Sequence, residues 1–130
     1  MPRYAIKVVP ADWQDTLPLP FHKNIQAYNK IELGTHVLIY RREAGIIGDA
    51  EIRSAFVLPD AWAESMKLEQ LPACLLGADS LLPLEAIYYR GKVVPPENVR
   101  QILSDPLFPQ VDGWRPIDAQ MYQQLLRRLM

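Results

Sequence analysis

Cysteine is nearly missing from this sequence. The single Cys74 excludes an internal disulfide and fits a reducing compartment. Histidine is almost as scarce, with only His22 and His36, so the three or four closely spaced ligands of a zinc site are not visible. Cys74 is remote from both histidines and sits in an apolar setting, which reads as a packing residue rather than a nucleophile. Neither common Gly-rich phosphate loop occurs, and this argues against nucleotide hydrolysis and dinucleotide redox chemistry. No apolar run approaches the roughly 18 residues of a membrane span. At the amino terminus Arg3 and Lys7 interrupt the one apolar stretch, so nothing there reads as a signal peptide. An excess of positive charge is lacking too: 14 Lys and Arg stand against 15 Asp and Glu, for a net charge of -1. The basic signature of a sequence-blind duplex binder is therefore absent. Together these absences predict a cytoplasmic protein with no membrane segment, catalytic residues, metal or cofactor.

What is present is ordinary material for one domain. The 130 residues, 49% hydrophobic and 22% charged, suffice for a single core spanning 1–130. Twelve prolines predict short elements with abrupt ends. Charge is unevenly spread. Between Phe21 and Arg42, Lys23, Lys30, Arg41 and Arg42 face Glu32 alone. Between Asp60 and Asp79, Lys67 stands alone against Asp60, Glu64, Glu69 and Asp79.

Arg3 to Val9 alternates as a strand with Tyr4, Ile6 and Val8 on one face. Pro10 ends it, and Asp12 reads as the cap of a short helix at Trp13. "LPLPFHKN", Leu17 to Asn24, reads as a constrained irregular loop because two prolines interrupt it. Asn24 to Ile31 predicts a short helix. "THVLIYRREAGIIGDAEI", Thr35 to Ile52, reads as a hairpin: a strand Val37–Arg42, a turn at Gly45, and a return strand over Ile46–Val57 with a bulge at Gly48. Asp49 and Glu51 alternate onto one face of that strand and read as solvated. A helix follows near Ala61–Glu69, then a β-rich stretch at Leu84–Val94. A helix at Glu97–Leu103 precedes a loop at Gly113-Trp114-Arg115. The last helix, Asp118–Leu129, is capped by Asp118 and carries a stripe of Met121, Tyr122, Leu125, Leu126 and Leu129.

This order of elements resembles the EVE domain of the PUA-like superfamily. The resemblance rests chiefly on Gly34-Thr35, Val37-Leu38-Ile39-Tyr40 and Ile46-Ile47-Gly48-Asp49-Ala50-Glu51-Ile52. "LPLEAIYYRGKVVPPENVRQILSDPLF" and "GWRPIDAQMYQQLLRRL" are similar to the family's later strand and helix and to its closing loop and helix, with Arg115, Ile117 and Tyr122 in order. The resemblance implies an α+β fold built on a small PUA-like β-barrel flanked by short helices. It also implies a non-enzymatic module that binds nucleic acid, RNA or DNA, by receiving a modified or flipped base at the barrel mouth.

The implied ligand-binding residues are Phe21, His22, Lys23, Asn24, Tyr40, Arg41, Arg42, Trp114 and Arg115. Where the family carries a Trp-Gly-Val loop, this chain has Pro18-Leu19-Pro20, so Phe21 takes the place of the ring and Lys23 or Asn24 that of the polar contact. Arg41 and Arg42 point to opposite faces of a strand, which puts only one of them on the ligand side. Each aromatic residue also has a purely structural role open to it: Phe21 as a core plug, Tyr40 as a strand-end residue, Trp114 as a helix anchor. Two other functions fit the same outline, a small ASCH-like hydrolase of modified nucleosides and a protein-interaction domain with a degenerate pocket.

Overall fold

The computed structural model describes residues 3–22, 31–109 and 113–130. At its centre lies β1 (Tyr4–Val9), paired in parallel with β3 (His36–Arg41) and antiparallel with β6 (Trp114–Ile117). The strand β4 (Gly45–Glu51) returns along β3, so the sheet order is β4-β3-β1-β6. A second, two-stranded sheet joins β2 (Leu19–Phe21) to β5 (Ser80–Leu82). Among the described residues three α-helices complete the α+β fold: α1 (Pro59–Ser65), α2 (Pro96–Leu103) and α3 (Ala119–Leu129). No helix among the described residues is long and apolar enough to cross a membrane.

Among the described residues the sheet does not close into the expected barrel. The stretch Leu84–Val94, expected as a strand, pairs with β4 through two isolated backbone bridges, Tyr88 with Asp49 and Val94 with Ile46. Gly91, at φ +101°, and the prolines at either end prevent a continuous ladder. The fourth strand is instead β6, where the sequence reads as a loop.

Both faces of the sheet are buried, as a parallel pair requires. On one face Ile6, Val8, Leu38 and Tyr40 pack against Val99 and Leu103 of α2 and Tyr122, Leu125 and Leu129 of α3. On the other, Val9, Val37 and Ile39 pack against Trp13, Leu19, Phe21 and Leu82. The stripes expected on β1 and α3 are present, and the Asp118 carboxylate accepts the cap hydrogen bond from Met121 N at 2.7 Å. The expected bulge is present as well: Ile39 pairs with Gly48 and Tyr40 with Ile46, leaving Ile47 as the extra residue.

Several expectations need correction. The helix expected at Asp12–Trp13 is a turn closed by Trp13 N donating to Pro10 O at 3.1 Å. The double-proline segment contains a strand, because β2 has a single partner and Pro20 leaves no ladder bond missing on its free edge. The return strand ends at Glu51, and Val57 bonds to Leu81 of β5 instead. The helix α1 begins at Pro59 and lacks a side-chain cap, with Asp60 in its first turn favouring the helix dipole. The helix expected at Asn24–Ile31 lies, apart from Ile31, outside the described residues.

Asp49 is not solvated: it is 6% exposed and takes two hydrogen bonds from Arg90, at 2.8 and 2.9 Å. Burial, with Asp49 nearby, pushes the Tyr122 hydroxyl up to about 12. Because its folded value lies above the ordinary 10.0, the fold favours the neutral phenol. That contribution is intact below about pH 10 and is lost as pH rises through about 12. We expect the ultraviolet phenolate titration to show a late component that Tyr122→Phe removes; an unchanged titration would contradict this.

Gly45 and Gly34 give a paired test of the hairpin's packing. Both have positive φ, +99° and +89°, but a Cβ on Gly45 would lie 2.0 Å from Val94 O while one on Gly34 meets nothing within 4 Å. Gly34→Ala should cost about 1–2 kcal/mol of backbone strain. Gly45→Ala should cost about 3 kcal/mol or more, since overpacking adds to the same strain. Urea unfolding measures both, and equal losses would show that the Val94 carbonyl is not a fixed obstacle.

Candidate nucleic-acid interface

Alternation along β1 turns Lys7 away from Ile6 and Val8, onto the face occupied by Phe21. There it is fully buried, opposite Trp114 in the β1–β6 register. Its ammonium lies 4.4 Å from the centroid of the Phe21 ring. A buried cation is costly, and the negative face of an aromatic ring offsets part of that cost. Phe21 is itself fully buried and meets Phe56 edge-on at 5.1 Å and Trp114 at 5.8 Å. Trp114 is only half-buried. His22 turns away, its Nδ1–H donating to the Gly77 carbonyl at 3.1 Å.

Tyr40 occupies the opposite face of the sheet. Its ring is 1% exposed and packs edge-on against Phe108 at 5.2 Å. It forms part of the wall of an open cleft of about 540 Å³, which Arg42, Glu43, Arg100 and Phe108 also line. Burial raises the Tyr40 hydroxyl pKa, while the guanidinium groups of Arg100 and Arg42 pull it down. Arg100 is held in place by Nε donating to Phe108 O at 2.9 Å. Arg41 is not in this cleft. Its charge acts on Tyr89, whose hydroxyl donates to Asp15 at 2.8 Å. Of the two consecutive arginines, then, Arg42 shares the cleft with Tyr40.

Arg115 lines a second, smaller cavity of about 220 Å³ together with Trp114, Asp105, Phe108 and Pro109. Its Nη1 donates to Asp105 at 2.6 Å, and this hydrogen bond holds the Asp105 carboxyl below its ordinary range. The guanidinium also lies 5.6 Å from the centroid of the Phe108 ring. The two cavities share Phe108 and Pro109 as a common wall. The structure therefore brings Tyr40 together with Arg42, Trp114 with Arg115, and Phe21 with Trp114, while the sheet separates Tyr40 from Phe21. Lys23 and Asn24 lie outside the described residues.

Sequence reasoning missed three residues of this region: Lys7, Arg100 and Phe108. Lys7 reads there as a break in an apolar strand, and only the second buried face makes it an interior charge. Arg100 carried a usable signal, since helical spacing separates it from the buried pair Val99 and Leu103. Phe108 lies between two prolines and carried none.

The burial of Tyr40 has a direct consequence. Tyr40→Ala should lower stability by about 3–5 kcal/mol, the range for truncating a large buried ring. Tyr40→Phe should stay within about 1 kcal/mol, because the lost hydroxyl lies at the cleft wall. Equilibrium unfolding separates the two; a mild loss in the alanine variant would mean that the ring is not part of the core.

No protein-family model and no curated protein matches the chain. Its fold does match solved structures at low sequence identity. A hypothetical protein from Leishmania major is 20% identical, covers 98% of this chain and 94% of its own, and superposes with a TM-score of 0.64. The ASCH protein of Zymomonas mobilis is 14% identical over 95% of this chain and 94% of its own, with a TM-score of 0.63. Human THYN1, solved in complex with 5-methylcytosine-containing DNA, is 14% identical over 96% of each chain, with a TM-score of 0.59. At these identities the likeness concerns fold alone, a mixed α+β fold whose four-stranded sheet is open among the described residues.

Proposed function

We propose that this chain is a nucleic-acid-binding module of the EVE type that receives a modified or flipped base of RNA or DNA. The observation that carries the reading is the position of Trp114. Among Phe21, Tyr40 and Trp114 it alone is not fully buried, and it lines a cavity with Arg115. A base stacked on such a ring gains about 1–3 kcal/mol. Phe21 backs the Trp114 ring, its own ring centroid 5.8 Å away. Asp105 holds one end of the Arg115 guanidinium, leaving other N–H groups to donate to a phosphate or a base edge. Across the shared Phe108–Pro109 wall, Arg42 and Arg100 offer two further cations in a cleft whose size suits a small ligand, typically about 300–1,000 Å³.

The structural likeness to THYN1, a protein solved with 5-methylcytosine-containing DNA, supports the same reading. A few contacts of this kind need no net positive charge, in keeping with -1. His22, Lys23, Asn24 and Arg41 complete the proposed set as contacts with the strand around the base. The single cysteine agrees with a cytoplasmic setting.

Fluorescence anisotropy with single-stranded oligonucleotides of about 8–10 nucleotides, within the usual site sizes, tests this. RNA and DNA strands are compared with and without 5-methylcytosine. Trp114→Ala should weaken binding about tenfold, and Trp114→Phe should retain most of it. Replacing both Arg42 and Arg100 by Ala should flatten the logarithmic salt dependence by about 0.7 for each phosphate that is no longer neutralised. Absence of binding at low salt, or a folded Trp114→Ala protein with unchanged affinity, would overturn the reading. Turnover of a modified nucleoside would favour the hydrolase instead.

A further inference from the structure

The stretch 84–94 has no regular structure, yet it is firmly held and presents two adjacent tyrosines to solvent. Tyr88 is 50% exposed and Tyr89 55%. The Tyr88 backbone exchanges both hydrogen bonds with Asp49 of β4, at 3.1 and 2.8 Å. The Arg90 guanidinium lies 5.2 Å from the Tyr88 ring centroid and is itself pinned by its two bonds to Asp49. The ring thus has a fixed cation beside it, on a residue that is half exposed.

We propose that Tyr88, with Arg90 beside it, forms a stacking shelf for an unpaired base of a single-stranded nucleic acid, outside the two cavities. This rests on the nucleic-acid reading above and extends it from one base to the strand that carries it. Cations for the phosphates lie close by in the fold. Lys92 N donates to Leu129 O at 3.0 Å, which places it beside the last turn of α3 with Arg127 and Arg128. All three are exposed, and none forms an ion pair with a described residue. Arg53, by contrast, is matched by Glu51 and Glu85.

The shelf also connects to the proposed site. Arg41 acts on Tyr89, and the next residue, Arg42, lines the larger cleft, so the β3–β4 hairpin tip spans the two regions. An acidic peptide would satisfy the cations but would leave the rings uncovered. A strand with unstacked bases satisfies both. Because the Tyr88 backbone is already tied to β4, stacking on its ring costs less further ordering than stacking on a side chain of a free loop.

The test compares two single strands by anisotropy, one of about 3 nucleotides that fills only the cavities and one of about 10 that also reaches the shelf. Tyr88→Ala should weaken the longer strand about fivefold to tenfold and leave the shorter within about twofold, and Tyr88→Trp should restore the loss. The double change Arg127→Ala with Arg128→Ala should act in the same direction and reduce the salt dependence of the longer strand alone. Thermal unfolding verifies that each variant folds. If the wild type binds both strands and no variant changes either, the shelf is refuted while the base-binding reading stands. If Tyr88→Ala weakens both strands equally, the shelf is likewise refuted. If the wild type binds neither strand, the base-binding reading falls and the shelf falls with it. An acidic peptide that binds in a Tyr88-independent manner, with no oligonucleotide binding, would reassign the surface to a protein partner.

Discussion

Parallel pairing of β1 with β3 dictates how the remainder of the chain must run. Parallel neighbours cannot be joined by a tight hairpin, so the chain between Val9 and His36 must cross the sheet. Part of that crossing becomes β2, which pairs with β5 and lays Leu19 and Phe21 over one sheet face. The opposite face is taken by α2 and α3. With both faces covered, every residue of β1 from Ala5 to Val9 is interior, whatever its chemistry.

Burial of both faces explains where the charges settle. Lys7 has no route to solvent and lies over the Phe21 ring. Asp49, on β4, is almost as enclosed and is met by both nitrogens of the Arg90 fork. A bidentate arginine fixes geometry as well as charge. Here it ties an otherwise irregular segment to the sheet edge and takes the place of the ladder that Gly91 and the flanking prolines prevent. The irregular segment is thus held to the sheet edge by two bridges and the Asp49–Arg90 pair rather than by a ladder.

The region proposed for nucleic acid follows from the same layering. Phe108 packs edge-on against Tyr40, and its carbonyl accepts from Arg100. It separates two cavities whose polar groups come from the β3–β4 turn, from α2 and the loop after it, and from β6. Guanidinium groups anchored by a carbonyl or a carboxylate lose less freedom on meeting a phosphate than free side chains do. That compensates in part for a net charge that attracts no polyanion at long range.

The local elements were legible in the amino-acid order: the alternating strand β1, the hairpin of β3 and β4 with its bulge, α2, and α3 with its Asp118 cap. Each is specified by period, cap or turn chemistry within about ten residues of chain. The parting of Arg41 from Arg42 was legible too, because a strand alternates. Which of them joins Tyr40 was settled by the fold. The same holds for Trp114, which continues the sheet as β6, for Leu84–Val94, which does not form a strand, and for Lys7 and Asp49, which become interior. These outcomes depend on partners that lie up to the length of the chain away. A strand edge or a buried charge is defined by what covers it, and sequence period carries no record of the cover.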